Sequence, residues 1–296
     1  MKNTQNVLNH LQKAVSNNER IIKYNHSLSG GKRKNKRRIY LTVRTNKRVL
    51  FVKYDPETGS NAFIREYNAL TKINSDEFVT PQPIILINKG VVTSEIKGTS
   101  LEGIIKRKGL KQSLRLLTDA ITRIAVFHKK YSHQLKKKDK KEICEEVTGS
   151  KMSIEISPAI NRASFGFIHG DLDPFNTFYN AKKSEFILID WEDFRENGIQ
   201  ELDVLHFVTM LGVIANPELS YRKLFRVIFE KNIENPYLDL LARYCKERTS
   251  SLTTVFKLIP VYCDAQNHRL IKAHRETRNF LYSELKKNYY EKQYSV

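Results

Sequence analysis

The chain has 296 residues, 40% of them hydrophobic, enough for one large domain or two lobes with their own cores and too apolar for global disorder. Lysine and arginine outnumber aspartate and glutamate 51 to 32, a formal charge of +19; this favours polyanionic partners such as nucleic acid, anionic lipid or phosphorylated sugar, or else marks a solvated Lys-rich surface. No apolar run has bilayer-spanning length, the start Met1-Lys-Asn-Thr-Gln has no signal-peptide core, and Cys144, Cys245 and Cys263 are odd in number and far apart, so a cytoplasmic chain with reduced thiols is expected.

Val7, Leu8, Leu11, Ala14 and Val15 share one helical face, which predicts an N-terminal helix docked on the first lobe. The period then changes. Ile21 to His26 reads as a strand, Ser27-Leu-Ser-Gly-Gly-Lys as a turn, and Arg38 to Arg44 and Arg48 to Tyr54 as two further strands. Lys53 shares a strand face with Phe51 in the apolar run Leu50-Phe-Val-Lys-Tyr54, where burial is the rule and a lysine needs a reason. A helix from Asn61 to Leu70 follows, then strands from Pro81 to Leu86 and Val91 to Ile96, giving a five-stranded sheet. Leu101 to Lys106 begins a short helix. Leu114, Leu117, Ile121, Ile124 and His128 stripe a long one, Gln112 to Lys130, in which His128 reads as a packed residue. Tyr131 to Ala163, with the charge run Leu135-Lys-Lys-Lys-Asp-Lys-Lys-Glu142, reads as exposed helix and loop without a site. Beyond Glu201 the pattern is helical, including Tyr221 to Asn232, Tyr237 to Arg248 and Leu252 to Lys287.

The stretch Phe167-Ile-His-Gly-Asp-Leu-Asp-Pro-Phe-Asn176 and the following Phe186-Ile-Leu-Ile-Asp-Trp-Glu-Asp193 carry the chemistry. Pro174 fixes a turn between Asp171 and Asn176. Thr177 to Ile189 reads as a hairpin that returns Asp190 to where Asn176 began it. A carboxylate and an amide converging there are hard oxygen ligands suited to Mg²⁺ carrying nucleotide phosphates, while Asp171 can take a proton from an alcohol. The plainer reading is a turn whose Asp and Asn cap backbone groups.

His-Gly-Asp-Leu-Asp-Pro-Phe-Asn with Ile-Asp-Trp-Glu-Asp resembles the aminoglycoside phosphotransferase and choline kinase group of the protein-kinase-like fold. The resemblance implies an α+β, two-lobed protein-kinase-like fold, with a small five-stranded antiparallel N-lobe over 1–97 and a mainly helical C-lobe over 98–296. It implies ATP and Mg²⁺ as cofactors, Asp171 as catalytic base, and Asn176 and Asp190 as metal ligands. Lys53 would contact the nucleotide phosphates with Glu66 as its partner. Gly30 and Gly31 would lie in the phosphate-covering loop, and Glu95 and Ile96 in the hinge whose backbone meets the adenine edge. Asp203 would brace the catalytic turn by accepting backbone hydrogen bonds, and His169 would brace it too.

Gly170 stands where protein kinases carry an arginine, and the interval from Asp190 to Glu201 is too short for an activation loop. A small-molecule kinase is therefore expected, acting on a sugar, amino alcohol, aminoglycoside-like compound or lipid-linked glycan. An aminoglycoside calls for an acidic pocket, which Asp173, Glu192 and Asp193 can offer; an anionic glycan or lipid-linked sugar suits the net charge better. The basic runs Lys32 to Arg38 and Lys136 to Lys141 sit on predicted loops without interleaved aromatics, so weak electrostatic association with an anionic membrane surface is expected and specific nucleic acid is not. A nucleotide- or polyanion-binding protein without catalysis is the alternative reading.

Overall fold

The structure, a computed structural model, describes residues 2–15, 18–26, 38–55, 61–150, 157–230 and 234–272, with 283, 286, 287 and 289. The first part of the chain forms α1 (Lys2–Ala14), β1 (Ile21–His26), β2 (Ile39–Thr45), β3 (Val49–Tyr54), α2 (Asn61–Lys72), β4 (Pro83–Ile87) and β5 (Gly90–Ser94). Then come β6 (Thr99–Ser100), α3 (Leu101–Lys108), α4 (Leu110–Lys130), β7 (Ser132–His133), α5 (Lys137–Thr148), α6 (Ser157–Arg162) and β8 (Phe165–Ile168). A hairpin of β9 (Thr177–Asn180) and β10 (Glu185–Leu188) precedes β11 (Arg195–Ile199) and α7 (Gln200–Ala215). The chain continues with α8 (Tyr221–Phe229), α9 (Pro236–Arg248), α10 (Leu252–Lys257) and α11 (Ile259–Lys272).

These elements fall into two compact units, Met1–Thr99 with Phe175–Phe194, and Ser100–Pro174 with Arg195–Val296. The first unit is built on a five-stranded sheet in the order β1-β2-β3-β5-β4, every neighbouring pair antiparallel. Helix α1 lays Val7, Leu8, Leu11 and Val15 on Leu41, Val43, Leu50 and Val52, as its apolar face predicts. Each such side chain taken out of water contributes about 1.5–3 kcal/mol of transfer free energy. The expected division at 97/98 left the hairpin with the helical part of the chain. Here the hairpin joins the first unit, because Val79 N donates to Phe186 O at 2.8 Å and Leu188 N to Val79 O at 3.0 Å.

In the second unit α7 is buried on all sides, as a helix at the centre of a core must be. Strand β11 pairs antiparallel with β8, so the segment after the hairpin returns directly to the strand that leads into the turn at His169 and Gly170. Two expectations need correction. The predicted helix Leu252 to Lys287 is interrupted at Leu258, since Pro260 lacks the N–H that a continuous helix would need and suits the first turn of α11 instead. The run Lys136 to Lys141 is not a loop: it opens α5, whose inner face buries Cys144.

Candidate active site

The first unit gathers its charged residues around Lys53. In β3 the side chain of Lys53 points to the buried face, and its Nζ donates to Glu66 Oε1 and Oε2 at 2.7 and 2.9 Å and to Asp190 Oδ1 at 2.9 Å. Burial works against the ammonium, but Asp190, Glu66 and Glu192 overcome it and hold Lys53 charged, far above the ordinary lysine range. Burial likewise pushes the Glu66 carboxyl up, opposed by the ammonium beside it. Gly90 of β5 lies so close to this strand that a Cβ there would meet the Lys53 carbonyl oxygen at 2.6 Å.

Asp190 reaches Lys53 from the end of the hairpin. Strand partners run from Glu185–Asn180 to Leu188–Thr177, and Ile189 N donates to Asn176 O at 3.1 Å, so Asn176 and Asp190 flank the same end. The Asp190 backbone is left-handed (φ 66, ψ 55), a conformation that aspartate tolerates better than most residues and that collects at functional sites. Trp191 then turns fully inward and donates from Nε1 to Leu188 O at 3.2 Å. Glu192 turns to Arg38, which grips it in two hydrogen bonds of 2.8 and 2.9 Å. Burial, reinforced by Asp190, pushes the Glu192 carboxyl up to about 7 against the pull of Lys53 and Arg38. Ligand-capable oxygens of Glu66, Asp190 and Glu192 lie within 4.8 Å of one another, with the Lys53 ammonium beside them. The carboxylate of Asp190 and the amide of Asn176 are the hard oxygen donors that suit Mg²⁺.

The second unit holds the turn after β8. Asp203, in the first turn of α7, accepts from His169 N at 2.7 Å and from Gly170 N at 2.9 Å. His169 is buried, and its Nδ1 accepts from Asp171 N at 3.3 Å. Gly170 has φ +81, the left-handed region that favours glycine, so the turn requires it. Gln200 adds a further staple, donating to His128 O at 2.9 Å and Phe167 O at 3.3 Å. His128 ends the stripe of α4 as a packed residue between Tyr244 and Asp203. Asp171 keeps 15% of its side-chain surface exposed and meets His206 Nε2 at 3.2 Å through Oδ1.

The residues expected from sequence thus divide between the units. Lys53, Glu66 and Asp190 are brought together in the first, with Asn176 at the same hairpin end; His169, Asp171 and Asp203 are brought together in the second. Gly30 and Gly31 lie outside the described residues, as does Lys32 to Arg37 of the basic run. For the hinge, the Glu95 amide already donates to Val49 O at 3.3 Å, so the adenine-edge reading narrows to the Glu95 carbonyl and to Ile96. Sequence reasoning missed Arg38 and His206, and read Glu192 only as part of an acidic acceptor pocket, not as a neighbour of Lys53 and Arg38. His206 was findable: it follows Asp203 by three on a helix that is otherwise nearly all apolar, so both polar side chains share a face.

Neither a protein-family model nor a curated protein sequence matches the chain. Solved structures do. The aminoglycoside phosphotransferase APH(4)-Ia superposes with a TM-score of 0.58 at 10% identity, covering 97% of this chain and 98% of that one. A thermostable mutant of the same enzyme, in a ternary complex with AMP-PNP and hygromycin B, gives 0.59 at 9% identity over 98% and 99% of the two chains. The ethanolamine kinase of Plasmodium vivax gives 0.54 at 10% identity over 98% of this chain and 86% of that one. With its five-stranded antiparallel sheet and its helical second unit, the chain has the protein-kinase-like fold that these phosphotransferases share.

Proposed function

We propose that the chain is an ATP-dependent phosphotransferase that passes the γ-phosphate to a hydroxyl of a small molecule. The observation that carries this reading is the Lys53 ammonium held by Glu66 and Asp190 at 2.7 and 2.9 Å on a buried strand face. A cation fixed there neutralises phosphate charge without reorganising, the main demand of phosphoryl transfer. Asn176 and Asp190 would hold Mg²⁺, which when bound supplies further charge neutralisation on the phosphates. The acceptor hydroxyl would give its proton to Asp171 as its oxygen bonds the γ-phosphorus and the bond to ADP breaks. His169 and Asp203 keep the turn that carries Asp171 in one shape. That a related fold has been captured with AMP-PNP and hygromycin B, and that another is an ethanolamine kinase, supports nucleotide and small-alcohol chemistry.

The acceptor class we propose is a sugar, amino alcohol, aminoglycoside-like compound or lipid-linked glycan, with anionic acceptors favoured by the net charge of +19. A cytoplasmic setting is supported by Cys144, Cys245 and Cys263, all buried and unpaired; burial raises all three thiols, that of Cys144 to about 11. Among the described residues no helix is long and apolar enough to cross a membrane. Association with an anionic membrane surface would be electrostatic, so binding to phosphatidylserine vesicles should fall steeply with salt. Vesicle binding that persists unchanged above roughly 0.3 M salt would refute it.

The deciding experiment is ADP release from Mg-ATP against a panel of sugars, amino alcohols, aminoglycosides and glycolipid precursors. Acceptor-dependent turnover that Lys53→Met abolishes is the expected outcome. ATP binding with no turnover on any acceptor would favour the non-catalytic alternative.

A further inference from the structure

Two Tyr–His–Asp chains run through the second unit in the same sense. In one, Tyr244 Oη lies 2.9 Å from His128 Nδ1, and His128 Nε2 lies 3.4 Å from Asp203 Oδ2. In the other, Tyr262 Oη lies 3.0 Å from His206 Nδ1, and His206 Nε2 lies 3.2 Å from Asp171 Oδ1. Both imidazoles are buried, at 1% and 3% exposure, so neither ring is an incidental surface contact. The chains end differently. Asp203 accepts the two amides of the turn, whereas Asp171 is the group to which the proposed reaction assigns the acceptor proton.

Chemistry fixes the direction of each chain when its imidazole is neutral. A neutral imidazole attracts a carboxylate only through the nitrogen that carries its hydrogen, here Nε2. Nδ1 is then the acceptor, and the tyrosine hydroxyl must donate to it. The carboxylate thus sets the tautomer, and the tyrosine hydroxyl, able to donate or accept, completes the chain by donating to Nδ1. Asp203 and His206 sit three residues apart on α7, so one buried helix reaches both the turn backbone and the carboxylate the turn carries.

We propose that His206 is a positioning residue for Asp171: as the Nε2–H tautomer, with Tyr262 donating to its Nδ1, it donates to Oδ1 and fixes the plane of the carboxylate. The inference rests on the reading of Asp171 as the base. A terminal carboxylate torsion is broad and two-fold, so a bond to one oxygen narrows the directions in which the other can point. The proton taken from the acceptor stays on Asp171, and His206 neither gains nor loses one. The titratable groups facing His206 are Asp171 and Asp173 from the turn and Tyr262 from α11.

The test has two arms on the full chain. In ¹⁵N-labelled protein, long-range ¹H–¹⁵N spectra report the tautomer of each imidazole, with His206 assigned by its loss in His206→Gln. The Nε2–H form is expected at pH 8 and should persist in Tyr262→Phe, since the Asp171 carboxylate holds the hydrogen on Nε2. The second arm measures phosphate release from Mg-ATP with water as acceptor. His206→Ala should lower kcat about 10–100-fold, the scale of a misplaced reacting group, with KM for ATP within about twofold. His206→Gln, whose amide N–H can occupy the place of Nε2–H, should recover most of the loss. An Nδ1–H tautomer, or equal losses in the Ala and Gln variants of a folded protein, overturns the proposal alone. A wild type that binds no ATP overturns the phosphotransferase reading, and this inference with it.

Discussion

Replacing Asp203 by alanine tests the brace beneath the turn at His169 and Gly170. The carboxylate is 2% exposed and accepts from His169 N, Gly170 N and His128 Nε2 at 2.7, 2.9 and 3.4 Å. Burial holds His128 below the usual histidine range, so its contact with Asp203 is a hydrogen bond from a neutral ring. Alanine would orphan two amides at about 1–3 kcal/mol each. Together that is about 2–6 kcal/mol. For a unit of this size each kcal/mol moves Tm by about 2–4 °C, so Tm should fall by roughly 4–24 °C. Asp203→Asn keeps one carbonyl oxygen and should lose about half as much. Acid supplies an independent check. Burial alone would raise the Asp203 carboxyl, but the hydrogen bond from His128, with the backbone amides, outweighs it and holds it below the ordinary 3.8. Its folded value being depressed, the stability it confers is present above about pH 4 and is lost as pH falls through the folded value. Scanning calorimetry of wild type and both variants between pH 3 and 8 measures all of this. A fall in Tm of less than about 2 °C for Asp203→Ala at pH 7 would refute the reasoning.

Asp171→Asn should cost about a thousandfold in turnover and leave ATP affinity nearly unchanged, as removal of a positioned base does; wild-type turnover on any acceptor of the panel would count against the assignment. Asp190→Ala should abolish the Mg²⁺ dependence of ATP binding in calorimetric titrations, and equal wild-type affinities with and without Mg²⁺ would count against a metal there. Glu192, pushed up to about 7, gives stability that is full below about 4.5 and lost as pH rises through 7. Glu192→Gln should therefore flatten the Tm–pH curve between those values, and an unchanged slope would show that its proton is not the one responsible.

The parts of this molecule written in local pattern were legible before any coordinates. Helix α1 and the stripe on α4 follow from apolar spacing, and the hairpin from turn residues between two short apolar arms. What was not legible depends on distance along the chain. Arg38 meets Glu192 from 154 residues away, and Tyr262 meets His206 from 56, separations over which no spacing rule operates. Helix α7 was legible as a helix from Glu201 onward, but buried on every side it has no polar face and hence no period to show which side meets the turn. Its few polar residues, Gln200, Glu201, Asp203 and His206, are the informative ones because they must each find a partner in a dry core. Trp191 and Glu192, which follow Asp190, take up structural contacts, one in the core and one on Arg38.

That Phe175–Phe194 belongs with Met1–Thr99 also sets an order of events on the ribosome. When residue 99 has been made, the sheet can pair and Lys53 can find Glu66, but Asp190 does not yet exist. About 95 further residues must be added, which at 5–20 residues per second takes roughly 5–20 s. Through that interval the backbone groups of Val79 that later join Phe186 and Leu188 have no hairpin to bond. A nascent chain arrested after residue 99 should therefore be a protease-sensitive intermediate, and one arrested with residue 194 outside the exit tunnel should not. The first unit is finished only after the Ser100–Pro174 segment of the second has been translated.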